Sequence, residues 1–288
     1  MRLRSAGNPA GETGVTLSTF SRFALGTALS ALTGLAPALA SAGSTATTIR
    51  YGVTLAGLPI GTANLNINLS DGGPYKINAA AKVGGVISLI SDGRGSASAS
   101  GRLTSTVPIP SAYALNSIAG KKPQTVQMAL ASGNITAVEL QPELPPRKDR
   151  VPVTTADKHG VLDPLSAMLV PVSGNGDALE PAACRRTLPV FDGATRFDVK
   201  LSYARTENVD GKGYSGPTIV CSARYVPIAG HRPDRDQTKF MVANRDIELW
   251  LAPLKGTHVL APFKIIVGTQ IGRLTLDATR FGGSGGDD

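Results

Sequence analysis

Apolar and polar residues alternate along much of this chain from residue 49 onward. Ile49, Tyr51, Val53 and Leu55 fall on one face, with Arg50, Gly52 and Thr54 opposite. Leu65, Ile67 and Leu69 alternate with Asn64, Asn66 and Asn68. Phe197, Val199, Leu201 and Tyr203 alternate with Arg196, Asp198, Lys200 and Ser202. Leu274, Leu276 and Ala278 alternate with Arg273, Thr275 and Asp277. A period of two with one apolar face predicts antiparallel strands buried on one side.

Turn chemistry separates the runs. Gly57 to Gly61 divides the first two, and Asp71-Gly72-Gly73-Pro74 divides the second from the third. Ser132-Gly133-Asn134 reads as a hairpin connection between Val126–Ala131 and Ile135–Leu140. Asp192-Gly193 and Asp210-Gly211 punctuate the second half. The pattern predicts roughly a dozen strands.

Some segments depart from this rhythm. Gly95 to Gly101 reads Gly-Ser-Ala-Ser-Ala-Ser-Gly. It is either a flexible loop or a strand of very small side chains that admits another backbone or a ligand. Residues 141–160 hold Pro142, Pro145, Pro146 and Pro152 among Arg147, Lys148 and Arg150, which predicts an exposed basic connector between two halves. Asp163-Pro164-Leu165-Ser166-Ala167-Met168-Leu169 predicts one short helix, with Asp163 as N-cap and Pro164 at the first helical position. The Gly-rich tail from Gly282 to Asp288 is expected to be disordered.

A one-faced sheet of this size must bury its apolar face, by curling on itself or by wrapping something else. With one short helix available as cover, curling is the economical answer. The expected fold is therefore all-β, a strongly curved antiparallel sheet forming an open or spiral barrel with one short helix. Residues 41–281 would make a single β domain of two halves joined by the connector.

The N-terminus changes the picture of location. Arg2, Arg4 and Arg22 precede an apolar stretch from Phe23 to Leu39, and Ala38-Leu39-Ala40 supplies a small-x-small cleavage pattern. Residues 1–40 thus read as a cleaved signal peptide. Gly26, Thr27, Ser30, Thr33, Gly34 and Pro37 interrupt the stretch, which falls short of the ~20 apolar residues of a membrane span. There is no Arg-Arg pair in the leader, which indicates the general secretion route to the periplasm.

The net charge of +8 becomes about +6 when the leader's three arginines and Glu12 are removed. In an exported protein this charge points to anionic envelope surfaces or to mere solubility, and away from nucleic acid. The chain has two cysteines, Cys184 and Cys221. An even number in an exported chain predicts a disulfide between them.

Candidate chemistry is sparse. Gly-x-Ser-x-Gly occurs only in the Gly-rich tail, at residues 282–286, with no strand and helix pattern around it; there is no His-Glu-x-x-His, and His159, His231 and His258 stand apart. No catalytic residue, cofactor or metal is expected, and the protein is read as a non-enzyme. Trp250, in Ile247-Glu248-Leu249-Trp250-Leu251, sits on the opposite parity from its apolar neighbours. It is either core packing or one wall of an apolar cavity.

Several runs resemble a known family. Glu248-Leu249-Trp250-Leu251, Ala261-Pro262-Phe263-Lys264-Ile265 and Ile271-Gly272-Arg273-Leu274 look like the C-terminal signature of domain of unknown function 3108. So do Asp163-Pro164-Leu165-Ser166, Val190-Phe191-Asp192-Gly193 and the opening Tyr51-Gly52-Val53 with Gly57 and Ile60-Gly61. The resemblance implies an exported, β-rich proteobacterial protein and no particular activity. The Pro-rich connector and the cysteine pair depart from the family pattern.

Two functions remain open. One is a periplasmic protein that holds a lipid or other apolar ligand in a groove of the curved sheet for envelope maintenance, with Ala97, Ala99 and Trp250 as candidate groove residues. The other is an envelope scaffold that contacts envelope proteins through its outer surface and has a packed interior.

Overall fold

A computed structural model of the chain describes residues 44–70, 73–84, 93–174 and 178–283. The expected signal peptide and all but the start of the expected disordered tail lie outside the described residues. The strands are β1 (Ser44–Leu55), β2 (Leu58–Ser70), β3 (Pro74–Val83), β4 (Gly93–Leu103), β5 (Pro108–Ala119), β6 (Lys122–Ala131) and β7 (Asn134–Gln141). Then come β8 (Val170–Pro171), β9 (Thr187–Phe191), β10 (Arg196–Gly211), β11 (Tyr214–Ala229), β12 (Ile247–Pro253), β13 (Val259–Thr269) and β14 (Gly272–Phe281). One α-helix, α1 (Asp236–Ala243), follows β11.

All strand pairs are antiparallel, in the order β7-β6-β5-β4-β3-β2-β1-β14-β13-β12-β11-β10-β9, with β8 on β13. Apart from β8, strands that neighbour in sequence neighbour in space, and the pairing of β1 with β14 joins the two halves. The period-two reading holds in β2 but fails at Tyr203 of β10, which is 41 % exposed beside a register shift between Tyr203 and Arg205. Leu65, Ile67 and Leu69 of β2 are buried while Asn64, Asn66 and Asn68 face water. Two hairpins turn through paired residues with positive φ, Ala56-Gly57 and Ser132-Gly133. That geometry matches the strand twist and suits Gly at the second position. The first turn is tighter than the sequence suggested, and Leu58 to Gly61 already belong to β2.

The sheet curls without closing. The ends of its path, β7 and β9, do not pair; the segment Gly160–Leu162 bonds to both sides instead. Val161 N–H donates to Gly133 O at 2.8 Å beside the β6–β7 turn. Leu162 N–H donates to Pro189 O at 2.7 Å, and Phe191 N–H returns to Leu162 O at 2.9 Å. Gly193, in the turn after β9, lies so close to β6 that a Cβ there would stand 2.4 Å from Val126 Cγ1. The fold is accordingly β-barrel-like but open. One core unites Ile49, Ile67, Ile77 and Val126 with Leu165, Leu169 and Phe191. Each such side chain contributes about 1.5–3 kcal/mol on burial.

The connector is pinned to the far half of the sheet. Val151 and the Gly230–His231 pair exchange two backbone hydrogen bonds, both 2.9 Å, and Asp149 pairs with Arg232 at 2.7 Å. The helix expected over about 163–170 is absent. The segment forms a single 3-10 turn, Ser166–Met168, and then extends into β8. The buried Asp163 carboxylate draws the turn tight, accepting from Leu165 N at 3.0 Å and Ser166 N at 2.9 Å. Pairing of Val170 and Pro171 with β13 then demands an extended chain. The one α-helix among the described residues, α1, lies elsewhere, where Phe240, Met241 and Val242 run consecutively and make no helical stripe.

Candidate functional site

Behind that 3-10 turn lies an apolar cavity of about 400 Å³. The inward row of the second half of the sheet forms its floor: Val190, Phe197 and Val199, then Ile247 and Leu249, then Ile265 and Val267. Register places Leu249 opposite Ile265 and Ile247 opposite Val267, so the floor is continuous across β12 and β13. Pro164 just before the 3-10 turn, Ala167 and Met168 within it, and Met241 of α1 supply the other wall. The two methionines are unbranched and adaptable, which suits a wall that accommodates more than one shape.

The wall is fixed by a buried polar chain. Asp163 and Ser166 have no exposed surface. Ser166 Oγ donates to Asp163 Oδ2 and lies 2.6 Å from the Tyr75 hydroxyl of β3. Burial raises the Asp163 pKa against the lowering effect of its hydrogen bonds, and it raises the Tyr75 phenol well above its usual range. The arrangement ties the turn that bears Pro164, Ala167 and Met168 to the opposite side of the barrel. Ser166 and Asp163 are fully buried, and their bonds hold the turn in place.

Among the described residues, the only hydroxyl lining the cavity is that of Tyr225, whose ring tilts against Phe197 at 5.2 Å. Burial raises its pKa. No carboxylate, imidazole, thiol or amine lines the space. What such a cavity can do chemically is bind an apolar group, and its volume lies in the range of small-molecule sites. Among the described residues no group of three or more His, Cys, Asp or Glu is placed to hold a metal.

The residues singled out from sequence lie elsewhere. The Ser96–Gly101 segment is indeed a strand, within β4. Its alanines pack on the protein itself, while Ser96 is exposed. Ala99 is 3 % exposed, opposite Ile77 and Tyr113, and Ala97 packs on the same core. A Cβ on Gly101 would meet Ile109 O at 2.3 Å and the Tyr75 hydroxyl at 2.6 Å. Ala97 lines none of the cavity, and Ala99 borders only a separate depression of about 680 Å³ that also carries Lys76, Gln127 and Glu139.

Trp250 faces away from Leu249 and the cavity. Its ring has the Arg205 guanidinium 5.2 Å and the Lys264 ammonium 4.9 Å from its centroid. Its Nε1–H donates to Glu248 Oε2 at 2.9 Å. Glu248 accepts two bonds from Arg205, at 2.8 and 3.1 Å, which hold its carboxyl below the usual range. Trp250 therefore anchors a cation–π and ion-pair network on the outer face.

Cys184 and Cys221 are bonded, with Cα atoms 5.4 Å apart and both residues fully buried. The bond fastens the 3-10 turn Pro181–Cys184 to β11. It suggests an oxidising, exported environment. No helix among the described residues is long and apolar enough to cross a membrane.

The cavity-lining residues were partly legible. Phe197 and Val199, Ile247 and Leu249, and Ile265 and Val267 are same-parity pairs in the sequence. What the sequence lacks is the fact that the turn at 166–168 and α1 stop short of filling the space above them.

No curated protein matches the chain. Among solved structures it is similar to the crystal structure of a β-barrel-like protein of domain of unknown function DUF1849 from Brucella abortus, with 10 % identity and a TM-score of 0.49. The similarity covers 83 % of this chain and 97 % of that one. The family model described as protein of unknown function, DUF3108, matches residues 48–279, and the chain belongs to that family.

Proposed function

We propose that the protein is a non-enzymatic carrier of an apolar or lipid-like group, exported to the periplasm with loss of its leader and acting in envelope maintenance. The observation that carries the reading is the 400 Å³ cavity, whose lining is apolar throughout except for the Tyr225 hydroxyl. Each methylene moved from water into such a space is worth about 0.8 kcal/mol. A lining without acid or base favours holding over turnover. The buried disulfide supports an extracytoplasmic setting.

The test is titration with N-phenyl-1-naphthylamine, a neutral apolar fluorophore, on wild type and Val199→Trp. Val199 lines the floor and is only partly buried, so the larger ring occupies cavity space. The expected result is saturable fluorescence enhancement in wild type that weakens about tenfold in the variant, a loss of about 1.4 kcal/mol, with the melting temperature retained. Absence of saturable binding in wild type would leave the scaffold reading in its place.

A further inference from the structure

A second cavity, of about 490 Å³, opens at the seam where Gly160–Leu162 bridges the two ends of the sheet. Ile109, Val161, Leu162 and Leu169 give it an apolar wall, Thr106, Ser132 and Thr187 also line it, and Val107 at its rim is 50 % exposed. Arg185 and Arg186 also line it, and no carboxylate does. The disulfide at Cys184 fixes where these two arginines stand.

Among the described residues, Arg186 is held in place by backbone carbonyls. Its Nε–H donates to Ala183 O at 2.8 Å, Nη2 to Pro171 O at 3.2 Å, and Nη1 to Thr106 O at the long distance of 3.4 Å. The guanidinium fork has further donors to give. Burial holds its pKa below the usual value, as expected for a half-buried cation without a counter-ion. Arg185, next to it, is exposed and has no carboxylate partner among the described residues. A positioned, partly desolvated guanidinium with no acid beside it is matched by an anion, and Arg geometry suits carboxylate or phosphate oxygens. The apolar walls are matched by hydrocarbon.

We infer that the seam pocket binds a single-chain anionic amphiphile, its head on Arg185 and Arg186 and its chain along Val107, Ile109 and Leu169. The site is distinct from the 400 Å³ cavity, with which it shares only Leu188 as a lining residue. The inference therefore stands or falls independently of the carrier reading.

The test uses isothermal titration of dodecyl phosphate below its micellar concentration, in the Val199→Trp background so that the other cavity is occupied. Arg185→Glu is the test variant, because Arg186 carries structural bonds. The expected result is binding that weakens about tenfold with Arg185→Glu and with added salt, at an unchanged melting temperature. Dodecanol and inorganic phosphate, which each lack one half of the ligand, should bind at least tenfold more weakly than dodecyl phosphate. Equal affinity of the two proteins for dodecyl phosphate would overturn the inference. So would inorganic phosphate binding as tightly as dodecyl phosphate, which would make the pocket a simple anion site.

Discussion

Replacing both cysteines, Cys184→Ala with Cys221→Ala, is expected to lower stability by about 4 kcal/mol. The bond spans 37 residues of sequence, and the chain-entropy relation gives about that value for a loop of this length. In a domain of this size the melting temperature should fall by about 8–16 °C. The cause is local as well as entropic. The bond closes the loop that carries β9 and β10, and β9 is the sheet's terminal strand with a single strand partner on its path. Without the bond, the Pro181–Cys184 turn is held to β11 by packing alone. Thermal melts of the double variant and wild type under oxidising conditions decide this. A shift below about 2 °C would mean that the sheet end is stable without its covalent tie.

The second large effect is at Asp163. Asp163→Ala should cost about 3 kcal/mol or more, because two backbone N–H groups and the Ser166 hydroxyl lose their acceptor in a site without water access. Asp163→Asn keeps an acceptor for both N–H groups and should cost about 1 kcal/mol or less. The pair also carries a pH signature. Burial raises the folded-state pKa of Asp163. The folded protein therefore binds this proton more tightly than the unfolded chain does. The resulting stability is fully present below the unfolded carboxyl pKa of about 3.9 and is lost as pH rises through the folded value. Wild type should accordingly gain stability relative to Asp163→Asn as pH falls from 7 toward 4. Denaturant melts of both proteins across that range measure the difference. A constant difference would show that Asp163 titrates alike in both states.

The sequence made the strands legible because a half-buried antiparallel sheet imposes a period of two that nothing else imitates. Asn64, Asn66 and Asn68 opposite Leu65, Ile67 and Leu69 left one solution. Turns were legible where glycine needs positive φ, as at Gly133. The cysteine pair was legible by elimination. The turn at Asp163 was not, since its pattern fits an N-capped helix equally well. Only the buried contact of Ser166 with Tyr75, 91 residues away, decides for a tight turn that ends after one round. Helix α1 escaped notice because it packs through few side chains and shows no stripe. The strand of Ala and Ser was legible as a strand that admits a close neighbour, either a backbone or a ligand. Small residues record only that something lies close, and at Gly101 that is the Ile109 backbone and the Tyr75 hydroxyl. Trp250 could be read from sequence as core packing or as a cavity wall; its indole N–H and ring face are matched by Glu248, Arg205 and Lys264 on the outer face.

The central claim is that the space bounded by Met168, Met241 and Leu249 holds an apolar molecule. The most direct measurement is mass spectrometry of organic extracts from wild type and Val199→Trp, each purified from the periplasm without detergent. The account predicts an apolar or lipid species near one equivalent per wild-type chain, and its depletion from the variant. Extracts that contain no such species, or contain it equally in both proteins, would contradict it.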